Sequence, residues 1–225
     1  MANYNENFYK TVESVSNNSA KEFLPIVKNI LPKLETAVDF GCGTGEWLFT
    51  MKKLYGTKIH GYDGDYAKGT LVIDNSEFTP INFEITMPPA PTTKVDLAMS
   101  VEVAEHIDIS RARDFVDALC QQSDYILFGA ARPKQGGLHH VNEQPQSYWA
   151  NMFIDNGYTP VDLRLQVLFL NKISYFYRQN TLLYVKDIKT INYPVDWSIK
   201  DQWGAKEFKK FVTALNKSAH PGEEE

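Results

Sequence analysis

The chain has 225 residues, 43% of them hydrophobic, 13% aromatic and 23% charged, which is globular composition with enough length for one substantial core. That excludes a disordered or fibrous chain. The net charge of -5 gives no overall attraction to nucleic acid or anionic membranes, and two cysteines are too few for a disulfide scaffold.

In chain order, Ser19-Ala-Lys-Glu22 has the form of a capping box and Phe23, Leu24, Ile26, Val27, Ile30 and Leu31 follow at helical spacing, which predicts a helix over 20–31. Ala37 to Cys42 reads as a short buried strand, followed by a glycine turn and a helix from Trp47 to Leu54. Strands are expected at Lys58 to Asp63, Ile81 to Ile85, Val95 to Val101 and Tyr125 to Ala130, with an amphipathic helix from Arg111 to Gln121 before the last of these. Arg132 to Gln144 reads as a loop, Pro145 to Asp155 as a helix that stops at Gly157, and Leu165 to Leu170 and Thr181 to Val185 as an antiparallel pair of strands. Alternating strands and helices with nearly continuous apolar strands predict an α/β fold. The expected architecture is a mostly parallel sheet with helices on both faces and an antiparallel edge. Its divisions are a helical segment and lid over 1–35, a core over 36–189 and a polar extension over 190–225, with Tyr4, Phe8 and Tyr9 as lid candidates. The polar amino terminus carries no secretory signal and no apolar run is long enough to span a membrane, so a cytoplasmic location without membrane partners is expected.

Val38-Asp39-Phe40-Gly41-Cys42-Gly43-Thr44-Gly45 places three glycines at alternate positions where a buried strand turns into a helix. The backbone there is bare enough to meet a ligand. The third glycine comes too early for a dinucleotide loop, and no Gly-Lys-Ser/Thr follows as a P-loop requires. Asp63, twenty residues after Gly43 at the end of the second strand, suits the ribose of a nucleotide ligand, because a carboxylate accepts hydrogen bonds from both hydroxyls.

Glu102, Glu105 and His106 follow the fourth strand, and a helical turn there would place them on one face at i, i+3 and i, i+4. Two carboxylates and an imidazole suit a divalent cation. Capping or solvated residues have the same composition. Gly136-Gly137-Leu138-His139-His140 follows the fifth strand, and loops at the carboxyl ends of adjacent strands meet over one crevice. Either His140 or His139 can complete the site. Tyr148 and Trp149, and Tyr175 to Arg178, are candidates to line an acceptor pocket, although aromatic residues on a helix serve equally as core.

Val38 to Trp47 with Gly61-Tyr62-Asp63-Gly64-Asp65 resembles the first two motifs of class I S-adenosylmethionine-dependent methyltransferases, and the likeness extends over Ser19 to Val185. The resemblance implies a Rossmann-like seven-stranded, mostly parallel sheet with the cofactor over the carboxyl ends of strands one, two and four, in which Gly41, Gly43 and Gly45 pack on the methionine part of the cofactor, Asp63 holds its ribose and Glu84 lies near its adenine. Glu102-x-x-Glu105-His106 with a later histidine is similar to metal-dependent O-methyltransferases, both the small-RNA and the small-molecule kinds. Gly-Gly-x-x-His-Val-Asn-Glu-Gln resembles a bacterial small-molecule branch associated with saccharide or secondary metabolism, in which a glycine commonly stands at position 139. The expectation is therefore an O-methyltransferase for a small polar acceptor, with S-adenosylmethionine, Mn²⁺ or Mg²⁺ on Glu102, Glu105, His106 and His140, and His140 or His106 as base in place of a metal. The rivals are an RNA ribose 2′-O-methyltransferase, disfavoured by net acidity, and a cofactor-binding protein without turnover.

Overall fold

The computed structural model describes residues 6–167 and 169–192, with side chains from Ser14 onward apart from that of Leu165. Tyr4, the side chains of Phe8 and Tyr9, and the extension beyond residue 192 lie outside the described residues. Seven strands form one sheet: β1 (Thr36–Phe40), β2 (Lys58–Asp63), β3 (Phe78–Pro80), β4 (Leu97–Val101), β5 (Tyr125–Gly129), β6 (Thr159–Val161) and β7 (Leu182–Val185). The order is β3-β2-β1-β4-β5-β7-β6. All pairs are parallel except β7, which runs antiparallel to both β5 and β6.

Strand alternation distributes the apolar residues to two cores. Ala37, Leu97, Met99, Leu127, Leu183 and Val185 face one cluster, packed under α1 (Glu6–Ile30) and α2 (Glu46–Tyr55). Val38, Phe40, Ala98, Ile126, Phe128 and Tyr184 face the other, covered by α3 (Ala112–Gln122) and α4 (Gln146–Asp155). Two short helices, α5 (Arg164–Val167) and α6 (Tyr175–Asn180), connect β6 to β7. Strand order reverses at β1/β4, so the segments after β1, β2, β4 and β5 share one crevice at the carboxyl ends.

Three expected elements fall elsewhere. Ser19 lies inside α1, because its hydroxyl bonds back to the Val15 carbonyl at 2.7 Å rather than capping a new helix. The third strand is Phe78–Pro80, and Ile81 to Ile85 instead forms a turn in which the Asn82 side chain accepts from Glu84 N at 3.0 Å. Leu165 to Leu170 is no strand: α5 starts at Arg164, where Asp162 accepts the first free amide at 2.9 Å. The edge strand is Thr159–Val161, whose Pro160 is tolerated because only one side of β6 is paired.

Candidate functional site

The turn after β1 is held by its own backbone. Gly41 N and Cys42 N both donate to the Tyr62 carbonyl, at 2.7 and 3.1 Å, and Gly45 N donates to Cys42 O. Gly41 and Gly45 have φ of +82° and +88°, a region that costs any other residue strain. Added Cβ atoms would strike Val103 at 2.4 Å and Ile73 at 3.0 Å respectively, so these two glycines serve the packing of the turn. Gly43 differs. A Cβ there would meet nothing within 4 Å, which leaves room for a ligand against bare backbone.

The Gly43 amide donates to Asp63 Oδ2 at 2.6 Å, while Gly64 N and the Tyr66 hydroxyl donate to Oδ1, each at 2.6 Å. Asp63 is thereby fixed at the end of β2 beside the turn. Burial pushes its pKa up, and the three donors oppose that. An ionised carboxylate has about four acceptor positions, so ribose hydroxyls fit here, most simply where the Tyr66 hydroxyl now sits. Tyr66 is 64% exposed and has room to move. These features fit an adenosine-type cofactor. Glu84 is an exposed residue of the turn after β3, and its carboxylate accepts from Asp108 N at 2.9 Å, tying that turn to the segment after β4.

After β4 the expected shared helical face does not form. Glu102 adopts φ +58° and the 3-10 turn begins only at Ala104, so Glu102 stands outside the group that Glu105 and His106 form with His140. Its oxygens accept from Asn180 Nδ2 at 2.8 Å and Gln135 Nε2 at 2.9 Å. Glu105, His106 and His140 do meet, each offering a ligand atom within 4.8 Å of the others. The Glu105 main-chain carbonyl accepts from Val141 N and Asn142 N, both at 2.9 Å, which docks the loop after β5 on this turn. Gly137 permits the docking, because a Cβ there would overlap His140 Nε2 at 2.2 Å.

Glu105 is fully buried and its carboxylate oxygens make no hydrogen bond of good geometry, the amides of Glu105 and Ala131 being the donors that act on them. Burial and then the Glu102 charge raise its pKa well above the carboxylate range. Its closest basic group is His140 Nε2, at 4.0 Å. His140 Nδ1 lies 2.8 Å from Glu143 Oε1. Burial opposes ionisation of Glu143, but the His140 bond and the amides of Gly136 and Lys134 outweigh it and hold its pKa low. An ionised carboxylate only accepts, so His140 Nδ1 donates to it, and the neutral form of the ring presents its lone pair at Nε2. His106 Nδ1 faces the His139 carbonyl at 3.2 Å, which likewise leaves the Nε2 lone pair of His106 available. Burial, then the neighbouring His140, lowers the His106 pKa, so the ring is neutral at pH 7. Poorly satisfied carboxylate oxygens beside two imidazole lone pairs, one ring oriented by a second carboxylate, form a donor set that fits a divalent ion. His140, and not the exposed His139, supplies the imidazole from this loop.

Trp149 belongs to the core, packed on Phe128. Tyr175 and Arg178 line an open cleft with Arg132, Arg164 and Gln179. Sequence reasoning assigned nothing to Gln135, Asn180, Glu143 or Arg132. Only Glu143 carried a signal, as an acid three residues from a histidine.

No family model matches the chain, and no curated protein matches it. Solved structures do. DesVI of Streptomyces venezuelae superposes with a TM-score of 0.63 at 10% identity, over 81% of this chain and 96% of that one. An O-methyltransferase family protein from Burkholderia thailandensis gives 0.55 at 14% identity over 79% of this chain, which spans 57% of the Burkholderia protein. Magnesium protoporphyrin IX methyltransferase (ChlM) of Synechocystis PCC 6803, with bound SAH, gives 0.51 at 15% identity over 83% and 90%. The chain has the methyltransferase fold. Its seven-stranded, mostly parallel sheet is as the resemblance implied, and the antiparallel edge is as the sequence pattern predicts.

Proposed function

We propose that the chain is an S-adenosylmethionine-dependent O-methyltransferase acting on a hydroxyl of a small polar acceptor, with a divalent ion on Glu105, His106 and His140. One contact carries the reading. Gly41, in the turn beside Asp63, packs against Val103, two residues before Glu105, so the donor turn and the acid-histidine group abut. Both lie at the carboxyl ends of β1, β2, β4 and β5, where ligands bind in open α/β sheets.

S-adenosylmethionine supplies a methyl group on a sulfonium, already activated toward an oxygen nucleophile. A divalent ion on the three ligands would lower the pKa of an acceptor hydroxyl. The chain itself must hold the two reactants in line, and positioning contributes up to ~7 to 11 kcal/mol in favourable intramolecular cases. Asp63 and the bare backbone at Gly43 fix the donor. Glu143 fixes the His140 ring through Nδ1, and the His139 carbonyl fixes that of His106. Each ring in its neutral form then presents an Nε2 lone pair, and His106, neutral at pH 7, accepts the hydroxyl proton where no ion takes that part.

The test is transfer of labelled methyl from S-adenosylmethionine to a panel of hydroxylated metabolites and sugar derivatives, after metal-free preparation. The expected result is label on oxygen that disappears in excess chelator and returns with Mn²⁺. Full activity in chelator would refute the ion and leave the histidines as base.

A further inference from the structure

The open cleft beyond the acid-histidine group has about 370 Å³ of space and is lined by Arg132, Arg164, Tyr175, Arg178 and Gln179. Three of those five residues are arginines. Arg164 is matched: Asp162 accepts from its Nε at 2.8 Å and from its Nη2 at 2.5 Å. Arg132 is not. It is 4% exposed, its Nη2 donates to the Gln179 carbonyl, and its Nε has no partner. No carboxylate among the described residues forms a direct ion pair with it: Asp162 and Glu102 attract it from farther off, the first bonded to Arg164 and the second to Asn180 and Gln135. Burial, then Arg164, brings the Arg132 pKa down to about 10 against the attraction of Asp162 and Glu102, so it is still a cation at neutral pH.

A buried cation without a directly paired counter-ion is costly unless an anion arrives to pair with it. A guanidinium suits phosphate and carboxylate oxygens, which it meets with two parallel hydrogen bonds. The cleft also adjoins the proposed reaction site. Gln179, which holds Arg132, is followed by Asn180, whose amide bonds Glu102 in the segment that leads to Glu105. We infer that the cleft of Arg132, Arg164 and Arg178 binds an oxyanionic group of the acceptor, a phosphate ester or a carboxylate, and orients the hydroxyl to be methylated. This rests on the methyltransferase reading, which it extends to the class of acceptor.

The experiment is calorimetric titration of the full chain with inorganic phosphate and with acetate at constant ionic strength in chloride, followed by titration with S-adenosylmethionine. Wild type, Arg132→Gln and Arg178→Gln are compared. At least one anion should bind the wild type, and each variant should weaken it by about tenfold or more while S-adenosylmethionine affinity stays the same. Phosphate binding alone assigns a phosphate ester and acetate binding alone a carboxylate. Arg178 is only partly buried, so its variant serves if Arg132→Gln does not fold. If neither anion binds, the inference fails even where S-adenosylmethionine binds normally. If both variants lose S-adenosylmethionine affinity together with the anion, the cleft holds the donor's own carboxylate and the inference also fails. If the anion binds but S-adenosylmethionine does not, the methyltransferase reading fails and the cleft stands as an anion site.

Discussion

Asp39 and Asp63 sit on either side of the glycine turn, and their surroundings treat charge differently. Asp63 has three hydrogen-bond donors, whereas Asp39 is 2% exposed with Oδ1 unpartnered. Burial, then the Asp63 charge, raises the Asp39 pKa well above the carboxylate range. The folded chain therefore holds a proton that the unfolded chain releases near pH ~3.9. Stability falls as pH rises from there through the folded-state pKa. Asp39→Asn should abolish that fall and add about 1 to 3 kcal/mol at pH 8, read as a rise of roughly 2 to 4 °C in Tm for each kcal/mol. A variant that melts below the wild type at pH 8 would contradict this account.

Asp63 was legible from its distance to the glycines and its place after a strand. Asp39 was not, because a carboxylate in a buried strand reads the same whether or not it finds a partner. Arg132 was hidden for a similar reason. Its lack of a direct ion pair depends on Asp162 being engaged by Arg164 and on Glu102 being engaged by two amides, and no local pattern encodes either fact.

Among the elements, the turn after β1 and the turn after β4 lock together at Gly41 and Val103. Gly41→Ala should cost about 1 to 3 kcal/mol from its φ of +82°, with a further loss from overlap with Val103. Adding Val103→Ala should recover the second part and not the first, as seen in urea midpoints. Recovery of full stability in the double variant would mean the positive φ carries no cost.

The turn after β4 is where helical spacing misled. Glu102, Glu105 and His106 share a face only if the helix starts at Glu102, and the backbone enters the left-handed region there instead. Glu105→Gln should therefore weaken Mn²⁺ binding by about tenfold or more, followed by electron paramagnetic resonance. Glu102→Gln should leave Mn²⁺ affinity nearly unchanged but lower stability by about 1 kcal/mol, because its new amide opposes that of Asn180 or Gln135. Equal losses of Mn²⁺ affinity would put Glu102 among the ligands. The misplaced third and sixth strands have a related cause: with three residues each, they are too short for an alternating pattern to register.

For the whole molecule, the sheet order brings together segments that are far apart in sequence. The parallel core was legible because β1, β4 and β5 lie in nearly continuous apolar runs separated by turns or helices. The reversal at β1/β4 then places the glycine turn beside the segment carrying Glu105 and His106. Among the described residues, no helix is long and apolar enough to cross a membrane. The proposed reaction requires this crevice to bind S-adenosylmethionine through Asp63. The decisive measurement is calorimetric titration of the wild type and of Asp63→Ala. The expected result is saturable binding of one S-adenosylmethionine per chain, weakened in the variant by about 1.5 to 3 kcal/mol. A wild type that does not bind, or a variant that binds as tightly, would contradict it.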